Sequence, residues 1–244
     1  FMIYWLKEAI HLSVPNLISP LLDGFTMGNP MSSHDGVRCC PAMRVSDEHK
    51  YIVKIISVPA SQTKLDALLL AGAFLDRESA LSYFNELSQD VVEEAVLLQR
   101  FSRLEGFLSY EGCQVVPMED GTGYDVYLLA PYRPTLERSW NKNGLTHLQA
   151  VNLGLDLCSA LSICRQAGHI YADLKPSNVY VSENKEYRIG DLGFVRLDAL
   201  AYTSLPGKFR SPYAPMEVQD DLKTLNETVD TYAVGMILYQ IFNE

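Results

Sequence analysis

The chain has 244 residues, 48% of them apolar and 20% charged, with a formal net charge of −10. That length supports one large domain or two smaller cored lobes, and the acidic balance excludes bulk attraction to nucleic acid or to an anionic membrane surface. No apolar run reaches membrane-spanning length. The five cysteines, Cys39, Cys40, Cys113, Cys158 and Cys164, are odd in number and lack metal-ligand spacing, which argues for reduced thiols and a cytoplasmic setting.

In chain order, Phe1 to Leu12 is apolar but interrupted by Lys7, Glu8 and His11. It reads as a docking helix or strand and not as a cleaved leader. Residues 15 to 58 mix Pro, Gly and Ser with short apolar runs, the pattern of strands and turns, and the β-branched stretch Tyr51 to Ile56 is the clearest strand. Helical spacing covers Ser61 to Leu75, with Ser61 as N-cap, and Arg77 to Leu104. Val115 to Ala130 predicts two strands joined at Glu119 to Gly123. Thr146 to Ala167 predicts a helix stopped by Gly168. Short strands follow at 178–181 and 187–190, then a loop to about residue 218 and a last helix from about Asp230. Cys158 and Cys164, and the Met and aromatic residues of 232–242, are expected in helix cores, and Cys39 and Cys40 as strand neighbours facing opposite ways.

This order, strand-rich and then helix-rich, predicts an α+β protein of two lobes divided between Ala130 and Pro134. Residues 1–130 would form the first lobe, with an extra helical insert near 61–75 whose apolar run Leu68 to Leu75 offers a partner surface. Residues 131–244 would form the second. The chain stops at Glu244 inside an apolar helical pattern, so a fragment of something longer is expected, with further helices of the second lobe lying beyond it.

The chemistry concentrates in Tyr171-Ala172-Asp173-Leu174-Lys175-Pro176-Ser177-Asn178, between a helix and a strand. At this spacing an aspartate, a lysine and an asparagine can converge on one phosphoryl group. The Asp173 carboxylate would accept the proton of an attacking hydroxyl, Lys175 would neutralise charge on the moving group, and the Asn178 amide oxygen would ligate Mg²⁺. Thirteen residues on, Asp191-Leu192-Gly193 follows a short strand, and its aspartate can hold the metal that bridges the phosphates.

These segments resemble the catalytic loop and the D-F-G motif of eukaryotic-type protein kinases, with the lysine after Asp173 typical of serine/threonine enzymes. The resemblance runs from about Leu17 to the chain end. Tyr213 to Glu217 resembles the close of the activation segment, and Asp230-Thr231-Tyr232-Ala233-Val234-Gly235 the start of the buried central helix, whose aspartate braces the catalytic loop. The resemblance implies a two-lobed kinase-like fold, ATP and Mg²⁺ as cofactors, and a Ser/Thr-bearing protein substrate. It implies Lys54 as the phosphate-orienting lysine, paired with Glu94 (or with Glu93). Leu98 and Phe101, four and seven residues beyond Glu94, then face the core. Around the nucleotide it implies Gly28, Ser32, Ser33 and Gly36 in the phosphate loop, with Ile52, Ala130, Tyr132 and Tyr180 about the base.

The departures from the pattern are specific. Gly28 to Gly36 is no G-x-G-x-x-G and contains Pro30, which lacks a backbone donor. Ile52 replaces a small residue, and Tyr180 an aliphatic one. Tyr171 and Ala172 stand for the His and Arg before the catalytic Asp, which leaves a phosphate on Thr203 or Ser204 without its usual reader. Arg210 stands where a Thr usually meets the catalytic Asp. Three readings follow: a protein kinase, a pseudokinase acting as a nucleotide-binding or scaffold module, and a kinase-fold small-molecule phosphotransferase. His169 is read as packing beside the loop.

Overall fold

The computed structural model describes residues 21–34, 36–104, 106–108, 110–182, 184–191, 195–196, 211–220 and 226–243. The stretch Phe1 to Leu12 lies outside them. The chain divides into two compact units, the first running to Ala95 and resuming at Tyr110–Tyr132, the second taking Val96–Ser109 and the rest from Arg133.

The first unit is built on an antiparallel sheet of six strands: β1 (Phe25–Met27), β2 (Ser32–His34), β3 (Val37–Arg44), β4 (Lys50–Val58), β5 (Gly112–Pro117) and β6 (Tyr124–Pro131). Their order is β1-β3-β4-β6-β5, with β2 paired to β3. In β4 the alternation is visible in burial. Tyr51, Val53 and Ile55 join Cys40, Ala42 and Leu129 in one core cluster, while Ile52 and Lys54 project from the other face. Cys40 is buried and Cys39 half-buried, as neighbours on one strand should be.

Helix α1 (Gln62–Leu70) starts where expected, with the Ser61 hydroxyl accepting the Lys64 N–H. It ends five residues earlier than the apolar run suggests. The N–H of Ala73 reaches the Leu68 carbonyl and that of Gly72 the Leu69 carbonyl, a Schellman stop around Gly72 at φ +71°. Leu75 therefore stands 99% exposed and Leu70 nearly as far out, while Phe74 packs on Tyr83 and Phe84. Helix α2 (Arg77–Phe101) is one 25-residue element, with Leu98 and Phe101 buried on the side expected for them.

The second unit holds helix α3 (Leu136–Asn143), which the sequence reading missed, and α4 (His147–Gln166), opened by a Thr146/Gln149 capping box. Strands β7 (His169–Ile170), β8 (Val179–Val181), β9 (Tyr187–Ile189) and β10 (Val195–Arg196) form two small ladders, β7 with β10 and β8 with β9. Helices α5 (Met216–Asp220) and α6 (Thr228–Asn243) complete the described part. Helix α6 packs on α4, with Leu238 against Gly154 and Phe242 beside His147.

Two core assignments are corrected. Cys164 is fully buried but Cys158 is exposed, because six residues carry the chain about 600° around the helix and leave the two side chains about 120° apart. Tyr232, Tyr239 and Phe242 are exposed on α6, whose buried side is formed by Val229, Asp230, Ala233, Val234 and Ile237. Together the units give an α+β, two-lobed kinase-like fold. Among the described residues no helix is long and apolar enough to cross a membrane.

Candidate active site

The turn after β7 brings its residues together through hydrogen bonds that the sequence spacing permits. Asp173 is buried, at 7% exposure, and its carboxylate receives the Lys175 ammonium at 2.8 and 3.1 Å. Asn178, on the single 3-10 turn Pro176–Asn178, donates from Nδ2 to the Asp173 carbonyl and to Oδ2, both at 2.9 Å. Pro176 starts that turn, its fixed φ suiting a first helical position. With both amide hydrogens directed at Asp173, the side-chain oxygen Oδ1 of Asn178 is oriented by the same contacts, as a neutral hard-oxygen donor.

The loop backbone is braced from α6. The buried carboxylate of Asp230 accepts the N–H of Tyr171 at 2.9 Å and of Ala172 at 2.8 Å. Ala172 sits at φ +63°, and the Asp173 N–H closes back on the Tyr171 carbonyl at 2.8 Å. A left-handed alanine costs about 1–2 kcal/mol, so this tight turn needs the Asp230 contacts to persist. Burial pushes the Asp230 carboxyl up to about 6, against the lowering effect of its two backbone donors.

Asp191 also has a positive φ, of +71°, and stands one residue, Gly190, beyond the end of β9. The preceding residue links it to the loop: the Gly190 N–H donates to the Asn178 carbonyl at 3.0 Å, and the Gly190 carbonyl accepts the Tyr171 hydroxyl at 2.5 Å. Asn178 and Asp191, the two residues expected to hold metal, are thus both tied to Gly190, the first through its carbonyl and the second as the next residue in the chain. This role of Tyr171 was absent from the sequence reading, and no local signal carries it, since 19 positions separate hydroxyl and acceptor. The Tyr180 ring lies over Gly190, so close that a Cβ there would meet it at 2.8 Å.

His169 packs its ring edge-on against Phe101 and contacts the Ala167 carbonyl through Nδ1, a packing role. Tyr213 donates to Gln240 at 2.6 Å, fastening the segment before α5 to α6. Leu192, Gly193, Thr203, Ser204 and Arg210 lie outside the described residues.

In the first unit, Lys54 is half-buried on β4, opposite Cys39 of β3 and Leu128 of β6. Ile52 and Ala130 are direct cross-strand partners two positions along, and Tyr132 leaves the sheet with its N–H on the Lys50 carbonyl. Glu94 is half-buried on α2. Among the described residues of 28–36, strand β2 pairs antiparallel with β3. Ser32 and Ser33 pair with Cys39 and Arg38, while the Gly28 and Met31 amides donate to the Pro41 and Cys39 carbonyls at 2.8 Å.

The fold is that of protein kinase domains. The chain belongs to the protein kinase domain family, whose family model matches residues 122–244, just over half of it. Among its relatives, the serine/threonine-protein kinase RUNKEL of Arabidopsis thaliana is 37% identical over 93 residues, covering 37% of this chain and 7% of that protein. A probable serine/threonine-protein kinase of Dictyostelium discoideum is 24% identical over 180 residues, covering 70% of this chain and 11% of the relative. The probable serine/threonine-protein kinase PknB of Lactococcus lactis is 31% identical over 113 residues, 44% of this chain and 17% of that protein. The chain thus spans a small fraction of the length of each of these relatives.

Proposed function

We propose that this domain transfers the γ-phosphoryl group of ATP to a serine or threonine hydroxyl of a protein, with Mg²⁺ as metal. The observation that carries this reading is the convergence of Lys175 and Asn178 on the buried carboxylate of Asp173.

Asp173 accepts the proton of the substrate hydroxyl as its oxygen bonds to the γ-phosphorus and the bond to ADP breaks. Lys175, already at the carboxylate, moves its charge toward the equatorial phosphoryl oxygens. The donor set fits magnesium: Asn178 offers an oriented amide oxygen and Asp191 a carboxylate on the adjoining peptide, both hard oxygens. When bound, the metal would neutralise phosphate charge. Lys54, with Glu94, orients the α- and β-phosphates. Gly28, Ser32, Ser33 and Gly36 lie along the phosphates, and Ile52, Ala130, Tyr132 and Tyr180 about the base. A cytoplasmic setting accords with five cysteines that are all free thiols.

The full chain incubated with labelled ATP, Mg²⁺ and a general protein acceptor is expected to label serine or threonine, and Asp173→Ala to lose that labelling. Equal labelling by the variant overturns the assignment. One observation favours a second reading, a pseudokinase scaffold: Gly28 and Met31 have their amides engaged by β3, and Pro30 has none to give. A Tm unchanged by millimolar Mg-ATP would favour the scaffold.

A further inference from the structure

Two hydrogen bonds fix the pattern of the ladder between β3 and β4. At one end the Ser57 N–H donates to the Gly36 carbonyl at 2.8 Å, and at the other the Arg44 N–H donates to the His49 carbonyl at 2.9 Å. Bonded pairs recur at every second position of an antiparallel ladder. In this register Arg38 with Ile55, Cys40 with Val53 and Ala42 with Tyr51 are then bonded pairs, and Cys39 with Lys54 falls between them. The Cys39 carbonyl agrees, turned away from β4 to accept the Met31 N–H at 2.8 Å. In a non-bonded pair the Cα atoms stand about 4.5 Å apart and the side chains are closest. Cys40 lies in the core cluster on one face, so Cys39 shares the other face with Lys54. Both residues are half-buried, and Cys39 is a free thiol. A sulfur nucleophile and a primary amine thus project side by side from neighbouring strands of one unit.

We propose that Cys39 and Lys54 form a redox-modification site, at which a peroxide joins the two side chains through a sulfur–nitrogen bond. The thiol sulfur attacks hydrogen peroxide, the O–O bond breaks, and the two-electron oxidation of sulfur yields a sulfenic acid and water. The lone pair of the Lys54 amine then attacks that sulfur. The S–N bond forms as the S–O bond breaks, and the departing hydroxide leaves as water with the proton released from nitrogen. Sulfenic acids condense in this way with thiols and backbone nitrogens beside them. Here the neighbour is the amine, since Cys40 is on the opposite face and Cys113 lies two strands beyond β4. A dithiol reverses the link, ending as a disulfide and returning the thiol and the amine. The link would withdraw Lys54 from phosphate. That consequence rests on the reading of Lys54 as the phosphate-orienting lysine, and the link itself does not.

The test treats the full chain with hydrogen peroxide, digests it with trypsin without reductant and maps the peptides by mass spectrometry. The expected product joins peptides 39–44 and 51–64, uncleaved at Lys54 and two hydrogens lighter than their sum, and is lost on adding dithiothreitol. Lys54→Arg keeps the charge and removes the primary amine, and its Cys39 is expected as the sulfenic acid, captured by dimedone. Equal capture of Cys39 by dimedone in wild type and Lys54→Arg overturns the proposal, as does a Cys39–Cys40 disulfide in place of the joined peptides. Should Lys54→Arg fail to fold, Cys39→Ser exchanges a single atom and is expected to abolish the joined peptides; their persistence overturns the proposal. Mass alone decides the link, whether or not the chain binds nucleotide. The rise of Tm with Mg-ATP is expected to fall in the linked chain and to return with dithiothreitol. An undiminished rise would remove Lys54 from the phosphate site and leave the link standing.

Discussion

Asn178 gives both hydrogens of its side-chain amide to Asp173, one to the backbone carbonyl and one to the carboxylate. The turn and the proposed base are therefore held by one group, and a change at either residue reaches the other. Asp173→Ala is expected to lower the phosphoryl-transfer rate by about 10²–10⁴. Asn178→Ala should lower both the rate and the Mg²⁺-dependent rise of Tm with ATP, because it removes the oxygen proposed to hold the metal and one donor to the buried carboxylate. Steady-state kinetics and thermal shift on the two variants check this; an undiminished metal-dependent shift in Asn178→Ala would remove it from the metal site.

Asp230 supplies a pH signature. Its folded pKa of about 6 lies above the ordinary 3.8, so this carboxyl's contribution to stability is fully present below about pH 4 and is lost as pH rises through about 6. The groups facing it are the Tyr171 and Ala172 amides and the Cys164 thiol, which burial and Asp230 push up. Urea unfolding of wild type and Asp230→Asn across pH 4–7 should show the stability difference, wild type minus variant, shrinking as pH rises. A difference that grows with pH would indicate a lowered pKa instead.

Thiol labelling tests the seating of α4. A maleimide applied to the native chain is expected to modify Cys158 and to leave the buried Cys164 unmodified until unfolding. Cys113, raised to about 11 by burial, should react slowly. Peptide mapping after a timed quench gives the order.

Gly36 tests the turn between β2 and β3. Its φ of +78° suits glycine, and an added Cβ would lie 2.6 Å from the Ala60 Cα. Gly36→Ala is expected to cost roughly 2 kcal/mol or more, since strain and backbone overlap add. Chemical denaturation measures it.

What could be read from the sequence was what lies close along the chain. Asp173, Lys175 and Asn178 fall within six positions, and their meeting follows from one turn. The strand β4 declared itself by β-branched residues, α1 by its Ser61 cap and α4 by the Gly168 stop. The Asp230 brace spans 58 and 59 positions and was legible through a family resemblance alone. Helix α3 was missed because Leu136–Asn143 is mostly polar, although Thr135, which caps it, was an available signal. The two cysteines of α4 were assigned one environment when helical geometry separates them. The Tyr171 hydroxyl contact depends on how a buried ring is aimed, which residue types and spacing do not encode.

The Asp230 carboxylate has a further consequence for the order in which the molecule locks. The amide hydrogens of Tyr171 and Ala172 are held by a residue that arrives nearly sixty positions later, on α6. Those two amides can be shielded from solvent deuterium only once α6 is seated, and they are released only when it lifts. Their exchange rates, compared with the neighbouring amide of Asp173, whose acceptor is local, would time that event. The few residues of the loop after β7 would then serve as a clock for the attachment of a helix remote in sequence.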